Sequence, residues 1–258
     1  MKDSNREDEI INLLEETPEH YLTVSALATH FNVSESTIRR DLARLYEQHK
    51  ISKMHGGAAP LNYAGQFLFD NGDREFPTRA YLEPFSKRAI AAYVSSLIKP
   101  GSCVYLDAST TVATISDFVT AEKNVLFVTN SPDICNRMTS AGHRTLLTGG
   151  ELKTSTSAFV GEYAENFLDD FNFNLGFFGT NAIHPTACFT TPDYIEAMMK
   201  KKAISRTYQA YVLADHTKFD KIAAVTFATF KDAILIADQV PERYKTLVRY
   251  VDLSAKKD

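Results

Sequence analysis

The sequence predicts an α/β chain in two parts: a small N-terminal winged helix-turn-helix, then a larger, mainly parallel sheet with helices on both faces. Three patterns carry that expectation. Near the N-terminus two short stretches repeat their apolar residues at helical spacing, each behind a hydroxyl residue suited to cap a helix, and a glycine pair follows. From residue 85 onward, short apolar runs alternate with helical ones. Five of those runs end in a polar loop rich in Ser, Thr, Asn, Gly and Asp.

Residues 5–16 open the first part as an amphipathic helix carrying Ile10, Ile11, Leu13 and Leu14. Thr23 is placed to cap a second helix, with Leu22 and Leu27 as a hydrophobic staple across its start. Ser34 is placed to cap a third, with Val33 and Ile38 in the same relation. On that third helix Ile38, Leu42 and Leu45 should face inward, leaving Glu35, Ser36, Arg39, Arg40 and Arg44 outside. A helix buried on one side and arginine-rich on the other suits a DNA major groove. Ser34, Ser36, Thr37, Arg39 and Arg40 are the candidates for bases and phosphates. Residues 51–54 read as a strand turning at His55-Gly56-Gly57, a wing that would bring Lys53, His55, Gly56 and Gly57, with Arg44, to the DNA backbone. The bland alternative is a helical hairpin with a solvated charged face.

Charge supports a local nucleic-acid face rather than a global one. The 258-residue chain has a net charge of −4, yet residues 39–53 set Arg39, Arg40, Arg44, Lys50 and Lys53 against Asp41 and Glu47. The hydrophobic share of 44% is ordinary for a globular protein. The first residues, MKDSNREDEI, are too polar for a signal peptide, and no apolar run approaches the ~20 residues that span a bilayer, so no membrane partner and a cytoplasmic location are expected. Cys103, Cys135 and Cys188 lie too far apart for a disulfide framework or a zinc site.

Residues 60–84, with Asn, Gly, Asp and Pro, read as a linker between a DNA-binding domain of residues 1–59 and a second domain of residues 85–258. In the second, a helix over 85–97 stops at Lys99-Pro100-Gly101. Strands are expected at 102–106, 125–128, 145–147, 175–178, 210–214 and 233–236, with an edge strand within 244–250. Helices are expected at 112–119, 132–138 and 164–168, and from a Thr191 cap through Pro192 to about 204.

The polar loops fall where open parallel sheets bind ligands, at the carboxyl ends of the strands. They hold Asp107, Ser109, Thr110 and Thr111; Asn130 and Ser131; Gly149, Gly150 and Glu151; Gly179 and Asn181; Asp215 and Lys218. Hydroxyls and glycines ahead of helix starts offer backbone N–H groups to an anion. Lys153 and Lys218 would add positive charge. Asp107, Glu196 and Asp215, with Thr191 nearby, would accept from sugar hydroxyls. Together they suit a small phosphorylated polyol. Singly, each loop is as well read as a polar turn closing a strand. Neither a P-loop nor a G-x-G-x-x-G is present, so no nucleotide cofactor is expected.

VSALATHFNVSESTIRRDLARL followed by HGGA resembles the winged helix-turn-helix of DeoR-type bacterial transcription regulators. LDASTT, VTNS, LTGGE, SAFVGEYA, FFGTNAI, FTTPDYIEAMMK and LADHTKF are similar, in that order, to the landmarks of the same family's effector-sensing domain. The resemblance implies a second domain related in fold to ribose-5-phosphate isomerase that senses a sugar phosphate. Ser109, Cys188 and Asp220 each stand where the family often has Gly. The D-H-T-K and SAFVGE forms resemble those of the lactose and galactitol operon repressors, implying a ketohexose phosphate such as tagatose 6-phosphate. The expected protein is a repressor of a carbohydrate operon, a dimer or tetramer on double-stranded DNA, released by its effector. The rivals are an activator, or an isomerase-like enzyme with Asp107 and Glu196 as bases and Lys200 or Lys218 as electrophile.

Overall fold

A computed structural model describes residues 3–17, 22–48, 50–54, 57–60, 82–120 and 124–254. It divides into two compact units, Met1–Leu68 and Phe69–Asp258.

The first unit contains helix α1 (Asp3–Glu16), strand β1 (Leu22–Thr23), α2 (Val24–Phe31), α3 (Glu35–Glu47), β2 (Ile51–Met54) and β3 (Gly57–Pro60). Both expected caps form. Thr23 accepts from the Ala26 N–H and Ser34 from the Thr37 N–H. Each satisfies one of the donors a helix start leaves open, typically worth about 1 kcal/mol. Leu22 and Val33 pack on a core of Ile10, Leu14, Leu27, Ile38, Leu42, Leu45 and Ile51, so both staples close. The wing has an extra strand that periodicity did not reveal. β1 pairs with β3 through only two residues, making the order β1-β3-β2. The wing turn at His55 and Gly56 lies outside the described residues.

The second unit begins with α4 (Pro84–Leu97), β4 (Cys103–Leu106), α5 (Thr110–Ala113), β5 (Leu126–Thr129), α6 (Pro132–Ser140) and β6 (Arg144–Leu147). A hairpin of β7 (Glu151–Lys153) and β8 (Ala158–Val160) follows, then α7 (Glu162–Phe167) and β9 (Phe173–Gly179). After β10 (Ala182–His184) and β11 (Cys188–Thr191) come α8 (Tyr194–Ser205) and β12 (Thr207–Ala214). Strands β13 (Val225–Ala228), β14 (Ile234–Ala237) and β15 (Tyr250–Asp252) complete the unit.

Among the described residues, seven strands form one sheet in the order β15-β14-β12-β9-β4-β5-β6, and every neighbouring pair is parallel. Alternation along each strand builds two cores. Val104, Leu106, Phe127 and Phe177 face α4, α5 and α6 through Ile90, Val94, Val112, Ile134 and Met138. Tyr105, Val128 and Phe178 face the other layer, with Ala164 of α7 and Ala197 and Met199 of α8. Such a sheet, covered on both faces, is what alternating strand and helix signals predict.

Several boundaries differ from the sequence reading. Thr191 does not cap a helix. It ends β11 fully buried, and Asp193 caps α8 by accepting from the Glu196 N–H. The edge strand is Tyr250–Asp252, because Tyr244 closes a 3-10 turn (Glu242–Tyr244). The expected helix at 112–119 is only α5 followed by a 3-10 turn (Thr114–Asp117). The β7–β8 hairpin and the small antiparallel sheet β10-β11-β13 were not anticipated. Their strands have three or four residues, too few for a period of two to show.

Cys188 and Asp220, two of the departures from the family pattern, both adopt left-handed backbone, at φ 58° and 61°. A side chain in that region costs about 1–2 kcal/mol unless something holds it. Asp220 is held. Its N–H donates to the Tyr244 hydroxyl, its carboxylate accepts from the same hydroxyl, and Arg243 pairs with it. For Cys188 the hydrogen bonds among the described residues offer its side chain a long thiol contact to the Thr186 carbonyl, beside partial apolar packing. Cys188→Gly should therefore stabilise the unit by about 0.5–1 kcal/mol, a rise of roughly 2 °C in melting temperature. Asp220→Gly should destabilise it by about 1–2 kcal/mol as Tyr244 and Arg243 lose their partner. Scanning calorimetry of both variants checks the pair, and a shift of the same sign in each would refute the distinction.

Candidate DNA-binding face and effector site

The exposed side of α3 opens with Ser34, whose hydroxyl lies 2.8 Å from that of Ser36 and 2.9 Å from that of Thr37. Ser34, Ser36, Arg39 and Arg40 are exposed, while Ile38 and Leu42 turn inward. Arg39 reaches back one turn to Glu35 at 3.0 Å, an exposed pair of little net strength. Arg40 has no ion pair among the described residues. Arg44, expected nearer the DNA backbone, is half-buried and already paired. Its guanidinium is held by Glu7 of α1 at 2.7 Å and by Asp41 at 2.5 Å. Asp41 is itself buried and also accepts from Arg6 at 2.6 Å. Arg44 therefore fastens α3 to α1. Lys53 lies in β2, one residue before its end, and Gly57 begins β3 opposite Met54. His55 and Gly56 lie outside the described residues.

In the second unit, β5 and β6 lie on one side of β4, and β9, β12, β14 and β15 on the other. The order reverses between β4 and β9, where a doubly wound sheet leaves its ligand crevice. Asp107 lies there, 2% exposed. Its Oδ2 accepts from the Gly179 N–H at 2.9 Å and from the Lys200 ammonium. Lys200 is buried too, donates to the Gly179 carbonyl at 3.2 Å, and lies 5.4 Å from the centre of the Phe227 ring. Gly179 tolerates no side chain, since a Cβ there would come within 2.2 Å of the Ser109 hydroxyl. The β4 and β9 loops and α8 are thus locked together.

The hydroxyl and amide residues are mostly used to build the loops. Ser109 accepts from the Thr111 N–H and caps α5, and Thr111 is buried. Ser131 caps α6 by accepting from the Ile134 N–H. Asn130 accepts from the Tyr105 hydroxyl at 3.1 Å and the Ala108 N–H at 3.0 Å, and donates to the Phe159 carbonyl at 3.1 Å. Burial, with the Asp107 charge, raises the Tyr105 phenol well above its ordinary pKa and keeps it a donor. Asn181 accepts from the Thr191 hydroxyl. Asp215 accepts from the N–H and hydroxyl of Thr217. Thr110 and Lys218 are half-buried, and Lys218 has no ion pair among the described residues.

Gly149 and Gly150 have φ of 70° and 108°, and a Cβ on Gly150 would lie 2.8 Å from the Val160 carbonyl. They turn the chain into the hairpin, where Glu151 is exposed. Lys153 bridges Asp193 at 2.9 Å and Glu196 at 3.0 Å, and the buried Thr156 hydroxyl donates to Glu196 at 2.6 Å. Partial burial pushes the Asp193 carboxyl up, but the Glu196 N–H and the Lys153 ammonium outweigh it and hold it below its usual value. Glu196 and Lys200 are one turn apart on α8, so the two charge clusters share a helix face. Sequence reading put Lys153 and Glu196 in the site and missed Thr156 and Asp193, which complete their cluster. Lys200 entered only as an enzymatic electrophile. Its place one turn after Glu196 was the available signal.

Breaking one half of a buried pair costs more than removing both. Lys200→Met should destabilise the second unit by about 3–5 kcal/mol, and adding Asp107→Asn should recover much of that loss. Urea unfolding of the single and double variants measures the coupling. Strict additivity would mean that the pair does not hold the crevice.

Comparison with known proteins is consistent across the chain. Residues 6–62 match the DeoR-like helix-turn-helix domain and residues 83–239 the DeoR C terminal sensor domain. An HTH-type transcriptional regulator of Bacillus subtilis, FruR, is 36% identical over 226 residues, 85% of this chain and 88% of that protein. The glycerol-3-phosphate regulon repressor of Escherichia coli is 30% identical, covering 89% of this chain and 88% of its own. The lactose phosphotransferase system repressor of Staphylococcus aureus is 30% identical, covering 98% and 99%. Among solved structures, ribose 5-phosphate isomerase A of Neisseria gonorrhoeae overlaps 54% of each chain at a TM-score of 0.39 and 10% identity, and no chemistry is carried across so slight an overlap.

Proposed function

Because the chain belongs to the DeoR family of helix-turn-helix transcription regulators, we propose that it represses a carbohydrate-utilisation operon and is released from its operator by a phosphorylated sugar. In this reading residues 1–59 bind DNA, residues 60–84 link, and residues 85–258 sense the effector and oligomerise. The observation that carries the effector half is the crevice where strand order reverses, with Gly179 and Asp107 locked behind it and Thr110 and Lys218 left to meet a ligand. Lys218 supplies a cation that no carboxylate among the described residues neutralises. The enzyme alternative loses support at the same place. Asp107 and Lys200 neutralise each other, and Glu196 is bound to Lys153 and Thr156.

On the DNA side, Arg40 is the prime candidate for a base edge. Arg40→Ala should cost about 1–3 kcal/mol of operator affinity if it reads a guanine. A phosphate-only role would weaken all sequences alike and flatten the salt slope. Fluorescence anisotropy with operator and scrambled DNA at several salt concentrations separates the two, and unchanged binding would remove Arg40 from the interface. A single winged helix contacts few bases, so a dimer on paired half-sites supplies the missing affinity.

A ligand shifts DNA affinity only by binding one conformation better than another. A hundredfold release corresponds to a coupling of about 2.7 kcal/mol, within the usual range. Thr110→Ala combined with Lys218→Ala should still bind operator but no longer respond to tagatose 6-phosphate or related sugar phosphates in a mobility shift. Release equal to the parent's would move the effector elsewhere. Loss of operator binding outright would make these residues structural.

A further inference from the structure

Asp238 follows β14 at the carboxyl edge of the sheet. Its carboxylate joins two elements distant in sequence. Oδ1 accepts from the His216 N–H at 2.7 Å. Oδ2 lies 2.7 Å from His216 Nδ1 and accepts from the Ser86 hydroxyl, also at 2.7 Å. His216 opens a 3-10 turn, His216–Lys218, bounded by the candidate effector residues Asp215 and Lys218. Ser86 lies in the first turn of α4, the first described helix after the linker segment.

That first turn lacks a side-chain cap, although Lys87 within it is buried and donates its N–H to the Glu83 carbonyl at 3.1 Å. Glu83, at its N-cap position, has φ 48° and makes no side-chain capping bond. Pro84 follows with no N–H to offer, and Phe85 is 87% exposed. A normal cap would supply about 1 kcal/mol there. The Ser86–Asp238 bond instead ties the turn to the sheet edge through a side chain. Hydrogen bonds to a charged carboxylate are short and strong, so the link is stiff.

We infer that Asp238 is a positioning residue: it couples the His216–Lys218 turn to the first turn of α4, so that a ligand gripping Asp215 or Lys218 is felt at the helix that follows the linker. The identity of that ligand rests on the proposed function, whereas the joint itself does not. The joint also has a proton-dependent signature. Partial burial lowers the His216 pKa, but the Asp238 hydrogen bond, together with the charges of Asp238, Glu83 and Asp215, outweighs it and leaves the value above 6.5. Those carboxylates face the imidazole from the end of β14, from the start of α4 and from its own turn. The sign follows from linkage. A raised folded-state pKa means the imidazolium–Asp238 contribution is complete below the ordinary value of 6.5 and is lost as pH rises through the raised one.

Hydrogen–deuterium exchange of residues 87–90 in the full chain, corrected for intrinsic rates, reads the joint without any ligand. Protection in the parent should hold at acid pH and fall above about 6.5. Asp238→Asn should lose protection about tenfold at acid pH. His216→Asn, which keeps a donor near the Nδ1 position but does not titrate, should show no pH dependence. Parent-like protection in Asp238→Asn, or a persisting pH dependence in His216→Asn, would overturn the inference. In a second arm, tagatose 6-phosphate and glycerol 3-phosphate are tested for binding by calorimetry and for operator release by anisotropy. Ser86→Ala should bind whichever compound the parent binds with similar affinity, yet need at least about tenfold more of it for release. Equal release would overturn the coupling. If the parent binds neither compound, the effector reading fails, and the exchange result alone decides the joint.

Discussion

The second unit depends on one buried ion pair, Asp107 with Lys200. Two full charges removed from water are tolerable only when each is neutralised and its remaining hydrogen-bonding capacity used. Here the same Gly179 peptide serves both, its N–H to the carboxylate and its carbonyl to the ammonium. That demands a residue without a side chain at 179, because Ser109 fills the space a Cβ would need. One interaction therefore sets the spacing of β4, β9 and α8 at the point where strand order reverses. The crevice is a consequence of that spacing rather than a separate feature.

Around this pair the polar loops do two kinds of work. Ser109, Ser131 and Asp193 cap helices, and Asn130 binds the β7–β8 hairpin to the sheet edge through Phe159. These groups are spent on the fold, because a buried polar atom without a partner would cost about 1–3 kcal/mol. What remains for a ligand is a smaller set than the residue types alone suggest. Rigidity gained this way also favours recognition, since donors already held in place need no ordering when a ligand arrives.

The first unit shows the same economy. Asp41, on the inner side of α3, gathers Arg6 and Arg44, and Glu7 takes the rest of Arg44. This network sets the angle at which α1 braces the helix proposed to read DNA. It also engages the half-buried Arg44 in ion pairs, while Arg39 and Arg40 stay exposed. Charge counts along α3 alone overstate the positive surface, because a half-buried arginine between two carboxylates adds little outward field.

How much of this was legible in the sequence depends on the range of each signal. Capping hydroxyls at Thr23 and Ser34, the inward rows of α3, and the strand–helix alternation all act within a few residues. They determined by themselves the helix-turn-helix, the parallel sheet and the edge on which the polar loops gather. Two-residue β1, the β7–β8 hairpin and the β10-β11-β13 sheet carry too few residues for any period, and only strand pairing creates them. Thr191 looked like a helix cap beside Pro192, yet pairing with β13 made it a buried strand residue. Which polar residues are spent and which are free was likewise decided only by tertiary structure. Asp107 meets Lys200 across 93 residues, and Ser86 meets Asp238 across 152. No local pattern announces such a partner, because burial and geometry, not sequence spacing, set the cost of leaving a charge alone.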